Sequence, residues 1–127
     1  MTNKTSLPFS LSSRLGSAVY VSGQVGLDPV SGAVVGPTLE EQTVQTMRNI
    51  QSILKGEGLD FSDVKKVSVY LIKREFFDEF NEIYVRYFEE PYPARTTIYC
   101  DLNYDLLVEI DVVAESNEHA QRCSASG

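Results

Sequence analysis

Two side chains form a pair that could do chemistry: Arg95, in Tyr92-Pro93-Ala94-Arg95-Thr96-Thr97, and Glu109, in the run Leu107-Val108-Glu109-Ile110-Asp111-Val112-Val113-Ala114. A planar guanidinium grips a carboxylate through two parallel charge-assisted hydrogen bonds. A partly buried glutamate can hold a water and relay its protons. Converging on one small acid, such a pair suits the addition of water next to a carboxylate. The rest of the chain offers few other catalytic groups. Its only histidine, His119, lies in a polar terminal stretch, so neither a Ser-His-Asp or Cys-His arrangement nor a His/Cys/carboxylate metal site is expected. Cys100 and Cys123 have no CxxC spacing and are expected to stay reduced, with a cytoplasmic home as the default.

Whether Arg95 and Glu109 can meet depends on the strands that carry them. Residues 95–102 and 106–114 are β-rich and joined by Asn103-Tyr104-Asp105, which predicts an antiparallel hairpin. With a three-residue turn, Leu102 opposes Leu106, Tyr99 opposes Glu109 and Arg95 opposes Val113. The two charges then share a face, their backbones about 14 Å apart at roughly 3.4 Å per residue. A two-residue turn would throw them onto opposite faces.

The remaining elements follow from local pattern. Residues 9–15 and 17–21 flank Gly16 as an opening hairpin, and residues 23–37 are an ordered loop dense in turn formers, with a short strand predicted at 33–35. Thr38 followed by Glu41 forms a capping box, and Val44, Met47, Ile50, Ile53 and Leu54 continue at helical spacing until Gly56 and Gly58 end the helix. Residues 64–72 alternate as a strand. Phe76, Phe77, Phe80, Ile83, Tyr84, Tyr87 and Phe88 recur at three- and four-residue steps as a second helix, stopped by Pro91. The order ββαβαββ predicts an α+β two-layer sandwich, a mixed β-sheet with two helices on one face. Residues 1–115 are expected to form a single domain and residues 116–127 a flexible tail.

At 127 residues with net charge -7, the chain lacks the basic footprint that phosphate backbones select, so nucleic acid is disfavoured as a partner. No apolar run approaches the roughly 20 residues of a membrane span, and no secretory signal is expected. In the last strand Leu107, Glu109, Asp111 and Val113 look away from the helices, and with Tyr99 expected beside them they form a mixed apolar and charged face. Burial between copies of the chain around a closed symmetry axis, with clefts shared by neighbours, accounts for that face better than solvation does.

The Tyr92-Pro93-Ala94-Arg95-Thr96 stretch and the Val108-Glu109-Ile110 run ending at Ala114 resemble the signature of the reactive intermediate deaminase (Rid, or YjgF) family. Pro8-Phe9-Ser10, Val21-Ser22-Gly23-Gln24 and Phe80-Asn81-Glu82-Ile83-Tyr84 match further segments in order, so the resemblance spans about residues 8–114. It implies a chorismate-mutase-like fold, a homotrimer with sites at subunit interfaces, and cofactor-free hydrolysis of enamines or imines such as 2-aminoacrylate to 2-keto acids and ammonia. Arg95 would clamp the substrate carboxylate and Glu109 would position or activate water. Phe9, where many members have tyrosine, would wall the substrate pocket, or else be a core ring of the first strand. Ser22 and Gly23 would present a hydroxyl and a close backbone amide, or simply end a strand, and Asn81 would line the site or only tie its helix to a loop. The chain departs from the family in the Arg95-to-Leu102 spacing, one residue shorter than usual, and in Leu102-Asn103-Tyr104-Asp105 where members have Leu-Pro. A non-enzymatic keto-acid-binding trimer and an endoribonuclease are the competing readings, the latter opposed by the charge.

Overall fold

The computed structural model describes residues 7–116; the terminal stretch that holds His119 and Cys123, and nearly all of the expected tail, lie outside the described residues. The chain opens with a hairpin, β1 (Ser12–Leu15) and β2 (Ala18–Val25), in which Leu15 faces Ala18 across a turn begun by Gly16 at φ +60°. A first residue with positive φ gives the turn a twist that matches its strands. The predicted strand at 33–35 is reduced to a single bridge, Leu27 to Val34.

Helix α1 (Leu39–Gly56) starts at the predicted capping box: the Thr38 hydroxyl accepts from the Glu41 amide, and the Glu41 carboxylate accepts from the Thr38 amide. At its other end Gly58, at φ +79°, lets the amides of Gly58 and Leu59 reach back to the carbonyls of Lys55 and Leu54. That is a Schellman closure, and it buries Leu59 beside Leu54 in the core. Strand β3 (Val64–Leu71) follows, then helix α2 (Phe77–Tyr84). The aromatic spacing outlasts α2: Tyr87 and Phe88 lie in the turn beyond it and pack edge-on against Phe61 at 5.6 and 5.5 Å. Strands β4 (Ala94–Tyr99) and β5 (Val108–Glu115) complete one five-stranded sheet of order β1-β2-β5-β3-β4.

This order corrects the expected second hairpin. Strand β4 runs parallel to β3, Arg95 facing Val67 and Tyr99 facing Leu71, while β5 pairs antiparallel with both β2 and β3. Helix α2 is the crossover that a parallel pair requires. Residues 100–107 carry the chain past the end of β3, held by the Cys100 amide on Leu71 and the Ile72 amide on Leu107. The interior position suits β5, whose Val108, Ile110, Val112 and Ala114 are all buried and whose backbone is paired on both sides. The edge suits β4, which has no fully buried residue.

Both helices cover one face of the sheet. There Val19, Val21, Val67, Val69, Leu71 and Ile110 pack with Met47, Ile50 and Leu54 of α1 and Phe80 and Ile83 of α2. The opposite face carries Tyr20, Ser68, Tyr70, Thr96, Ile98, Glu109, Asp111 and Val113 and has no helix over it; Tyr20 is 45% exposed and Ile98 46%. Glu109, Asp111 and Val113 look away from the helices as expected, whereas Leu107 lies before β5 begins and packs, partly buried, against the core. Tyr99 does not join them: as the partner of Leu71 it lies on the helix side of β4, which is not adjacent to β5. Among the described residues no helix is long and apolar enough to cross a membrane.

Candidate active site

Arg95 is the second residue of edge strand β4 and, as the partner of buried Val67, projects to the helix side. Its guanidinium carbon lies 4.7 Å from the ring centre of Tyr84, 5.5 Å from Phe80 and 5.8 Å from Phe77. These rings fall three, four and seven residues apart on α2, so they form one tray under the cation, and their quadrupoles attract it. Among the described residues no carboxylate pairs with Arg95, whereas Arg14 pairs with Glu57 and Arg86 with Glu40. A half-buried guanidinium held by ring faces keeps its planar donor fork for an outside anion. Tyr84 is buried; burial pushes its phenol above the ordinary range, and the charge and hydrogen bonding of the adjacent Arg95 oppose that rise. Asn81 lies one turn beyond Phe77 on α2, half-buried.

Glu109 is the second residue of β5 and pairs with Tyr70 on one side and Val25 on the other. Its carboxylate rests against the bare α-carbon of Gly23, where any β-carbon would overlap Oε2. The absence of a side chain there is therefore what admits the carboxylate. Gly23 falls in the irregularity between Val21 and Gln24, where β2 bulges off β5. Burial raises the Glu109 pKa above the ordinary carboxylate range, and the charge of Asp111 raises it further. Asp111 itself accepts a hydrogen bond from the Tyr70 hydroxyl at 3.1 Å. Ser22 donates its hydroxyl to the Ser10 carbonyl at 2.6 Å and its amide to the Leu11 carbonyl at 2.9 Å, tying the N-terminal segment over this strand end. Phe9 lies in that segment outside any strand and is 63% exposed, so it is not a core ring.

The expected site residues thus form two groups. Arg95 gathers with the α2 rings on the helix side, with Asn81 on the same helix, and Glu109 lies against Gly23 on the bare side; Ser22, next to Gly23, holds the backbone beside Phe9. The expectation that Arg95 and Glu109 share a face is corrected, because β3 lies between their strands and not beside a shared hairpin. Arg95 aligns with Val67 and Glu109 with Tyr70, an odd offset of three along β3, so their side chains leave opposite faces. Two strand spacings and three residues put their backbones roughly 14 Å apart. Within one chain the two side chains do not meet. The ring tray under Arg95 went unrecognised in the sequence, where Phe77, Phe80 and Tyr84 read only as the apolar stripe of a helix.

Comparison with known proteins agrees with this architecture. Residues 2–116 match the family described as Endoribonuclease L-PSP. A RutC family protein of Saccharolobus solfataricus is 40% identical over 111 residues, covering 87% of this chain and 88% of that protein. The 2-iminobutanoate/2-iminopropanoate deaminase of Homo sapiens is 40% identical over 88 residues, covering 69% of this chain and 64% of that one. Among solved structures, RidA from an Antarctic Psychrobacter superposes with a TM-score of 0.82 at 32% identity, over 86% of this chain and 89% of that chain.

Proposed function

This chain belongs to the Rid family, the group also described as Endoribonuclease L-PSP, and from that premise we propose that it hydrolyses small enamine and imine acids of the 2-aminoacrylate class to 2-keto acids and ammonia. The observation that carries this reading is Arg95, a cation seated on three aromatic rings with no carboxylate among the described residues to neutralise it. It is built to receive a small carboxylate. Since Glu109 leaves the opposite face of its own sheet, the complete cleft takes Arg95 from one copy and Glu109 from a second, which covers the bare sheet face in a homotrimer.

In that cleft the Arg95 fork fixes the carboxylate and so the carbon beside it. The enamine takes a proton at its terminal carbon and releases one from its nitrogen, becoming the imine. Water then adds to the C=N carbon, its proton passing through Glu109 to nitrogen. The hydroxyl of the resulting carbinolamine then gives its proton, again through Glu109, to the amino nitrogen; as the C=O bond forms and the C–N bond breaks, ammonia departs and the keto acid remains. Burial suits Glu109 to this relay, since raising its pKa makes the carboxylate a better acceptor for the proton it must take from water. Free imines already hydrolyse in water, so orientation supplies most of what is needed. Neither a metal nor an organic cofactor takes part. RNA cleavage, the reading carried by the family's other description, is opposed by the net charge of -7.

The test generates 2-aminoacrylate from serine with a pyridoxal-dependent dehydratase and follows keto acid with and without this protein. Arg95→Ala is expected to lose both carboxylate binding and turnover, and Arg95→Lys to lose less of each. Glu109→Gln is expected to bind a keto acid at least as well as wild type while turnover falls by ~10²-fold or more. Turnover at the wild-type rate in Glu109→Gln would remove Glu109 from the mechanism. Keto acid appearing no faster with the wild-type protein than without it would leave a keto-acid-binding trimer as the better reading.

A further inference from the structure

Glu109 sits where two strands run out: β2 ends at Val25, its cross-strand partner, and β5 begins at Val108, one residue before it. Ladder hydrogen bonds thin at such a place, and a side chain there inherits the fraying of the backbone. Two amide side chains of α1 replace the missing support. Gln42, fully buried, accepts the Leu107 amide on Oε1 at 2.8 Å and donates through Nε2 to the carbonyls of Asp105 at 3.2 Å and Gly36 at 2.9 Å. Asn49, two turns further along the same helix, donates through Nδ2 to the carbonyls of Val25 at 3.0 Å and Leu27 at 3.1 Å, and its own Oδ1 is held by Gln45 at 2.9 Å.

The approach is close by design of the backbone. A β-carbon on Gly26 would come within 2.8 Å of the Gln42 α-carbon, so only glycine lets α1 lie near enough for its amides to reach these strand ends. A buried amide costs free energy unless every donor and acceptor is met, and an aliphatic side chain would fill the space without that demand. Gln42 and Asn49 meet their demand by gripping the backbone on both sides of Glu109: Leu107 two residues before it, and Val25 directly across from it.

We propose that Gln42 and Asn49 are positioning residues for the Glu109 carboxylate, holding it over Gly23 by fixing the ends of β5 and β2. Their catalytic consequence rests on the deaminase reading above; the placement of the carboxylate does not. The groups that face Glu109 are Asp111 on its own strand and Tyr70 on β3, and neither is touched by the substitutions below.

The experiment compares Asn49→Ala and Gln42→Met with wild type, both alone and combined with Glu109→Gln. Asn49 is only half-buried, so Asn49→Ala keeps the test decisive should Gln42→Met fail to fold. The Glu109 carboxyl carbon is titrated by NMR, and steady-state turnover of 2-aminoacrylate is measured on the folded proteins. Expected in Asn49→Ala are a Glu109 titration moved down toward the ordinary carboxylate range and kcat lowered by up to about 10²-fold with KM little changed. No further loss is expected when Glu109 is already glutamine. A lowered melting temperature with the wild-type Glu109 titration would overturn the proposal and leave these amides as fold stabilisers. So would losses that multiply in the double variant. Should wild type fail to hydrolyse 2-aminoacrylate, the deaminase reading falls, and the Glu109 titration alone still decides the positioning role.

Discussion

The Glu109 carboxylate and the Arg95 guanidinium are both half-buried, yet their surroundings act on them differently. Arg95 is stabilised as a cation by ring faces, whereas Glu109 is disfavoured as an anion, first by burial and then by Asp111. A carboxyl whose pKa is raised in the folded state binds its proton more tightly there than in the unfolded chain. Folding stability therefore falls as pH rises from the ordinary value of 4.5 through the raised one, and the loss persists above it. Glu109→Gln, which cannot ionise, is expected to melt higher than wild type at pH 7, with the gap closing as pH approaches 4; scanning calorimetry across that range checks it. A gap independent of pH would mean that some other property of the glutamine, and not the missing charge, is responsible.

At the scale of elements, helix α1 bears the most on the site, because it packs on β2 and β5 and carries Gln42 and Asn49. Its C-terminal closure gives a prediction in which one substitution has opposite signs two residues apart. Gly58 stands at φ +79°, so Gly58→Ala forces a β-carbon into left-handed geometry and is expected to destabilise by about 1 kcal/mol. Gly56 ends the helix in right-handed geometry with open space around the added carbon, so Gly56→Ala is expected to stabilise by roughly 0.5 kcal/mol or more through lost unfolded-state freedom. Urea midpoints of the two variants, measured side by side, check the contrast. Helix α2 serves the site in another way: its rings Phe80 and Tyr84 belong both to the core and to the tray under Arg95.

For the whole molecule the central fact is the separation of Arg95 from Glu109 by the sheet itself. If each cleft takes Arg95 from one copy and Glu109 from another, Arg95→Ala and Glu109→Gln chains are each inactive alone but complementary when mixed. An equal mixture, dissociated and reassembled, is expected to recover about one quarter of wild-type turnover, the chance that an intact Arg95 meets an intact Glu109 across a random interface. No recovery, with mixed assemblies demonstrated by mass spectrometry, would place both charges of each working site on one chain. The same closure accounts for the bare face, where Tyr20 and Ile98 would otherwise stand in water at 45% and 46% exposure.

Much of this protein was legible one element at a time. Thr38 with Glu41 specified the start of α1, the alternation of Val108, Ile110, Val112 and Ala114 specified which side of β5 is core, and the motif around Arg95 and Glu109 picked out the two charges. Each of these depends on neighbours within a few residues, which the chain itself supplies. Alternation sets which side chains share a face along one strand, but it says nothing of how two strands line up, since that parity passes through every strand between them. Residues 100–107 are long enough either to fold back as a hairpin or to step past β3. The choice was made by the burial of β5 between β2 and β3, with β4 left at the edge beside the crossover of α2. That non-local decision, and nothing in the spacing of the residues, sent Arg95 and Glu109 to opposite faces of one sheet.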